Sequence, residues 1–184
     1  DSIDWGTSVT LDAGNIIQVY FAPNGATFDG QTSTGWTAFE RAQAMAALGT
    51  FSNFVDITFR VTNNAAAAEF ILVQNTNGAG TSLGYFNPPG FGNEGVGWFN
   101  DAPGNAWDAT GLLQGGDGWQ TMIHEFGHGL GLAHPHDNGG TSVIMEGVTS
   151  PFDSFGLFEL NQNVYTMMSY NRGWSTAPHG ATPS

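Results

Sequence analysis

Five short stretches of the chain run apolar or alternate apolar with polar residues: 16–21, 57–61, 69–74, 83–86 and 95–99. Each has strand length and predicts a β-strand. Between the first two lies a helical pattern. Thr37-Ala38-Phe39-Glu40 is a capping box, in which the threonine hydroxyl and the glutamate carboxylate satisfy each other's backbone N–H groups. From there Phe39, Ala42, Ala46, Ala47 and Leu48 keep a small apolar face through to about Asn53. Gly115-Gly116-Asp117-Gly118 reads as a flexible approach to a second helix. The order strand, helix, four strands, helix suits a mixed sheet carrying two helices, an α+β fold. From Pro135 to Gly173 glycine, asparagine, serine and proline dominate, which predicts irregular structure. No internal repeat or linker divides the chain, so one domain is expected, with a sheet-and-helix part (1–134) and a loop-rich part (135–184).

The second helix carries the most informative residues, His124-Glu125-Phe126-Gly127-His128-Gly129-Leu130-Gly131-Leu132-Ala133-His134. On a helix, His124 and His128 stand about 40° apart around the axis and roughly 6 Å apart along it. Two ring nitrogens can then reach one metal ion, with Glu125 to the side as a base rather than a ligand. Had the helix continued, His134 would lie about 240° further round and beyond reach. A sharp turn is therefore needed, and Gly131 stands where left-handed backbone is required. Pro135 favours an extended His134 and discourages further helix. With five histidines and 27 glycines in 184 residues, these five fixed positions should coincide by chance in about 2 of 100,000 such chains. Coincidental histidines are thus a poor account of the segment.

Three neutral imidazoles leave zinc its double positive charge and an open position for water, unlike a closed structural site. Such a metal brings the pKa of its water towards about 7 and polarises a carbonyl. Glu125 can take the proton of that water and pass it to a leaving amine.

The segment resembles the signature of the metzincin zinc endopeptidases, with Pro135 similar to the serralysin variant of secreted bacterial proteases. Tyr165-Thr166-Met167-Met168-Ser169-Tyr170 resembles the Met-turn of that family. The resemblance implies Met168 beneath the metal and Tyr170 beside it, as a zinc ligand that withdraws when substrate binds and then stabilises the oxyanion. It extends to Ser2-Ile3-Asp4, the strand at 16–21, the segment around Asp56-Ile57-Thr58-Phe59, and Leu83-Gly84-Tyr85-Phe86. By the same resemblance Gly95, Val96, Gly97 and Trp98 are expected to form the sheet edge that receives an extended substrate. His136 and Asp137, just after the third histidine, are either partners of a ligand imidazole or a solvent-exposed pair. The glycine- and aspartate-rich calcium β-roll that follows in family members does not occur in this sequence.

Composition narrows the class further. Hydrophobic residues make up 40% of the chain and aromatics 13%, enough to build a core. No apolar run approaches the roughly 18 residues of a membrane span, and no leader-like segment stands at the N-terminus. With no cysteine there is no disulfide frame. Three arginines, no lysine and a net charge of −13 disfavour nucleic acid and anionic membranes as partners. Exposed carboxylates make calcium a further candidate ion. The expectation is a secreted, extracellular, monomeric zinc endopeptidase acting on polypeptides, with a protein inhibitor as a further candidate partner. The alternatives are a non-catalytic zinc-binding or adhesion module on the same fold, or an inactive fragment of a longer protease.

Overall fold

The computed structural model describes residues 2–11, 14–76 and 82–173. Trp174 and His179, read from sequence as a core or cleft aromatic and an exposed tail residue, lie outside them. The chain forms two units, one of residues 9–130 and the other of the described residues among 1–8 and 131–184.

The first unit is built on a five-stranded sheet. Its strands are β1 (Ile16–Phe21), β4 (Thr58–Val61), β5 (Phe70–Asn75), β6 (Gly84–Phe86) and β7 (Val96–Asn100). They lie in the order β4-β1-β5-β7-β6. β1, β4, β5 and β7 are parallel, and β6 alone runs antiparallel, against β7. All five predicted strands are present within a residue or two of their expected bounds. One assignment needs correction. β7 is hydrogen-bonded by β5 on one side and β6 on the other, so Val96, Gly97 and Trp98, with Gly95 just before them, are interior. All five residues of β7 are buried. The antiparallel edge is β6. Local alternation shows that a strand exists but not who its neighbours are, because register is set by distant pairings.

Helices α1 (Ala38–Phe51) and α2 (Asp117–Leu130) cover one face of the sheet. α1 opens with the expected capping box: Glu40 N–H donates to Thr37 Oγ1, and Thr37 N–H donates to Glu40 Oε2. Its buried face matches the expected one at Ala47 and Leu48 and differs elsewhere. Ala44, Ala47 and Leu48 pack inward with Met45 and Phe51 alongside, whereas Phe39, Ala42 and Ala46 are exposed. Small residues surround this helix, so composition alone does not choose which side faces the sheet. The core beneath contains Ile17, Val19, Phe70, Leu72, Phe99, Met122 and Phe126, all without exposed surface.

The other sheet face is closed by a hairpin absent from the sequence reading, β2 (Thr27–Phe28) and β3 (Gln31–Thr32). Its turn residues Asp29 and Gly30 have φ of 48° and 73°, the left-handed pair of a type I′ turn. The signal, an Asp-Gly pair between strand-forming residues, was there to be read. Beneath the hairpin Ala22, Val73, Val96 and Trp98 form a second apolar cluster.

Asp29 fastens the hairpin tip. Its Oδ2 accepts from Tyr85 Oη (3.1 Å) and Asn87 Nδ2 (2.8 Å), and its Oδ1 from Asn93 Nδ2 (2.6 Å). Burial, and then the negative charge of Asp29, push the Tyr85 phenol up to about 12. A folded pKa above the unfolded one stabilises the fold below pH 10, and that stabilisation is lost as pH rises through about 12. Asp29→Asn is expected to bring the slowest-titrating tyrosine down towards its ordinary value. Tyrosinate absorbance over an alkaline titration measures this, and an unchanged curve would refute the assigned cause.

Candidate active site

α2 is amphipathic. Trp119, Met122 and Phe126 anchor its apolar face in the core, which fixes the rotation of the helix and hence the direction of its polar residues. Its approach is packed rather than flexible. A Cβ on Gly118 would stand 2.5 Å from the carbonyl oxygen of Ala106, so backbone lies directly against backbone there. His124 and His128 follow one another by a turn. Their ring centroids are 4.9 Å apart with planes at 83°, so the two imidazoles meet edge to face.

Glu125 lies between them in sequence but turns inward, with 7% of its surface exposed. Burial pushes its carboxyl up to about 8. Its neighbour is the edge strand. A Cβ built on Gly84 would lie 3.1 Å from Glu125 Cγ and 3.4 Å from Cδ, and 2.8 Å from the Trp98 carbonyl oxygen. Glycine at position 84 therefore makes the room in which the carboxylate sits against β6.

The helix ends where a metal site requires it to. Gly131 has φ of 105°, and a Cβ there would meet the Thr7 carbonyl oxygen at 2.2 Å. The segment after it is held by the N-terminus of the chain. Trp5 N–H donates to the Gly131 carbonyl (2.9 Å), Ala133 N–H donates to the Ile3 carbonyl (3.1 Å), and Asp4 bridges Leu132 in antiparallel fashion. This bracing is a functional feature that the sequence reading did not identify; Ser2-Ile3-Asp4 carried only a family likeness.

His134 is fixed by Asp137. The Asp137 Oδ2 accepts from His134 N–H (3.0 Å) and lies 2.8 Å from His134 Nδ1. A carboxylate only accepts, so Nδ1 carries the proton and Nε2 is left with its lone pair for a metal. Burial raises the Asp137 carboxyl, but the His134 backbone N–H and ring, with His136, outweigh it and hold it below its ordinary value. Of the two readings of Asp137, the structure shows the paired one, with the carboxylate against the His134 ring. The His136 ring stacks on that of His134 at 4.8 Å and 12°, and burial holds it below its ordinary pKa.

Across this stretch His124, His128 and His134 each offer a ring nitrogen, and these atoms lie within 4.8 Å of one another. Three imidazoles, one with its tautomer set by a carboxylate, suit zinc better than calcium or magnesium, which prefer oxygen donors. Among the described residues no group of three carboxylates has metal-binding spacing, so nothing there supports the calcium expectation.

Met168 is buried, with 1% exposure, whereas Met167 is only partly covered. The Met-turn is closed by Met168 N–H donating to Thr166 Oγ1 (3.2 Å) and Ser169 N–H donating to the Thr166 carbonyl (3.1 Å). Its position is locked by buried asparagines. Asn171 Nδ2 donates to the carbonyls of Asn161 (2.9 Å) and Ser154 (3.2 Å), and Asn161 Nδ2 donates to Ser154 as well (2.6 Å). Tyr170 is 41% exposed and packs its ring 4.7 Å from that of His134.

A mixed sheet with two helices, the second carrying a His-Glu-x-x-His segment that turns at glycine towards a third histidine, is the α+β arrangement that the sequence resemblance to the metzincins implies. No family model matches the chain. It is 30% identical over 145 residues to serralysin A of Dickeya chrysanthemi, which is 74% of this chain and 30% of that protein. It is 27% identical over 148 residues to metallopeptidase AprA of Pseudomonas marginalis, 76% of this chain and 28% of that protein. The solved structure of myroilysin aligns with a TM-score of 0.47 at 20% identity, over 70% of this chain and 53% of that one. Over about three quarters of its length the chain is thus similar to part of serralysin-like metalloproteases. The chain spans less than a third of their length.

Proposed function

We propose that the chain is the catalytic part of a zinc-dependent endopeptidase acting outside the cell on internal bonds of extended polypeptides. The observation that carries this reading is the convergence of three histidine nitrogens next to a buried, non-ligating glutamate. His124, His128 and the Asp137-oriented His134 would hold zinc, with Met168 as an apolar floor. Zinc held there supplies a Lewis acid that polarises the scissile carbonyl and acidifies a water.

The remaining work falls to side chains. Glu125 accepts a proton from the attacking water and delivers it to the departing amine nitrogen. Tyr170 would be a further residue able to hold the metal at rest, and with substrate bound its phenol would donate a hydrogen bond to the oxyanion. A non-catalytic zinc module has no need of a buried carboxylate beside an open metal position. β6 offers the free edge of the sheet, and an extended peptide can add to it through backbone hydrogen bonds that tolerate many side chains. Gly84 brings that edge against Glu125, which aligns the bound peptide with the base.

Casein treated with the purified chain is expected to give many internal fragments, to stay intact after chelator treatment, and to be cut again when zinc is restored. Mass spectrometry of the products measures this. Release of single terminal residues only, or cleavage indifferent to chelator, would overturn the proposal.

A further inference from the structure

The Tyr170 ring, although 41% exposed, is bordered by three other rings. His134 lies at 4.7 Å and 58°, His136 at 5.1 Å and 50°, and Phe152 at 5.2 Å and 24°. The last contact is a stack, which Phe152 makes while 61% exposed. Its loop is tied to the residue after Tyr170, since Asp153 N–H donates to Asn171 Oδ1 at 2.8 Å. A second bond, from Ser150 Oγ to the Phe152 carbonyl at 2.6 Å, shapes the loop. The separation of the two rings is thus fixed by backbone neighbours of each. His136, also against Tyr170, is held by its parallel stack on His134.

We propose that Phe152 and His136 are positioning residues that hold the Tyr170 ring and so set how firmly its phenol engages the metal. The inference rests on the role given to Tyr170 in the preceding subsection. An aromatic stack is directional and shifts a two-position equilibrium by about 2- to 10-fold. Without Phe152 the ring drifts from the metal side. The phenol then competes less with substrate, so KM falls, and it is less ready to meet the oxyanion, so kcat falls too. A merely structural role predicts neither this joint fall nor any spectroscopic change.

The test uses the protein loaded with Cu(II), because a phenolate bound to Cu(II) gives a visible charge-transfer band. The wild type is expected to show the band and Tyr170→Phe to lose it. Phe152→Ala should weaken it about 2- to 10-fold at equal copper content, and Phe152→Tyr should restore it. His136→Ala is expected to weaken it in the same direction. No band in the wild type overturns the ligand role of Tyr170, and this proposal with it. A wild-type band left unchanged by Phe152→Ala overturns this proposal alone.

Discussion

Glu125→Gln is expected to lower kcat/KM for peptide cleavage by about 100- to 10,000-fold while zinc content stays the same. Glutamine is nearly isosteric and can remain against Gly84 beside β6, but it cannot accept the proton of water. The same substitution has a second signature in the metal-free protein. Burial holds the Glu125 carboxyl at about 8, above its unfolded value of 4.5. Its stabilising contribution is complete below pH 4.5 and is lost as pH rises through about 8. Thermal melts of the metal-free variant should therefore lose less stability than wild type across that window. A zinc dication held by the three histidines would favour the charged form of the neighbouring carboxylate, so zinc uptake near neutral pH is expected to release more protons from wild type than from the variant. Calorimetry in buffers of different ionisation enthalpy counts them. Full cleavage by Glu125→Gln would remove the glutamate from the mechanism.

Gly131→Ala is the second large effect, on stability and metal together. A non-glycine residue at φ of 105° is strained by about 1–3 kcal/mol. The added Cβ must also displace the Thr7 carbonyl, backbone that cannot simply rotate away. About 3 kcal/mol in total corresponds to a melting temperature lower by roughly 6–12 °C for a chain of this size. The displaced segment is the one that presents His134, so zinc should bind about 10- to 100-fold more weakly. Gly49→Ala is the control. Gly49 sits exposed in α1 with nothing near its missing Cβ, and alanine there should stabilise by about 0.5–1 kcal/mol. Equal melting of Gly131→Ala and wild type would contradict the assigned turn.

What was legible in sequence was whatever is written locally. The capping box at Thr37 and the alternation of β1 each depend on a few adjacent residues and were placed correctly, and the spacing of His124, His128 and His134 does bring their ring nitrogens within 4.8 Å of one another. What depends on distant partners was not. The interior position of β7 follows from pairing with β5 and β6, and the face of α1 from the sheet it meets. Asn161 and Asn171 look like ordinary loop residues, yet their buried amides replace missing secondary structure around Met168 by satisfying loop carbonyls. Asp137 was half legible: its distance from His134 allowed a hydrogen bond, but only the fold decides between that and solvent.

The strap formed by Ile3, Asp4 and Trp5 has a consequence for biosynthesis. It joins residues 3–5 to a stretch synthesised more than a hundred residues later, so that pairing closes only after residues 131–133 have been made. Until then His134 is not yet braced beside its two helical companions. On the proposed metal site, capture of the ion would therefore have to await that pairing.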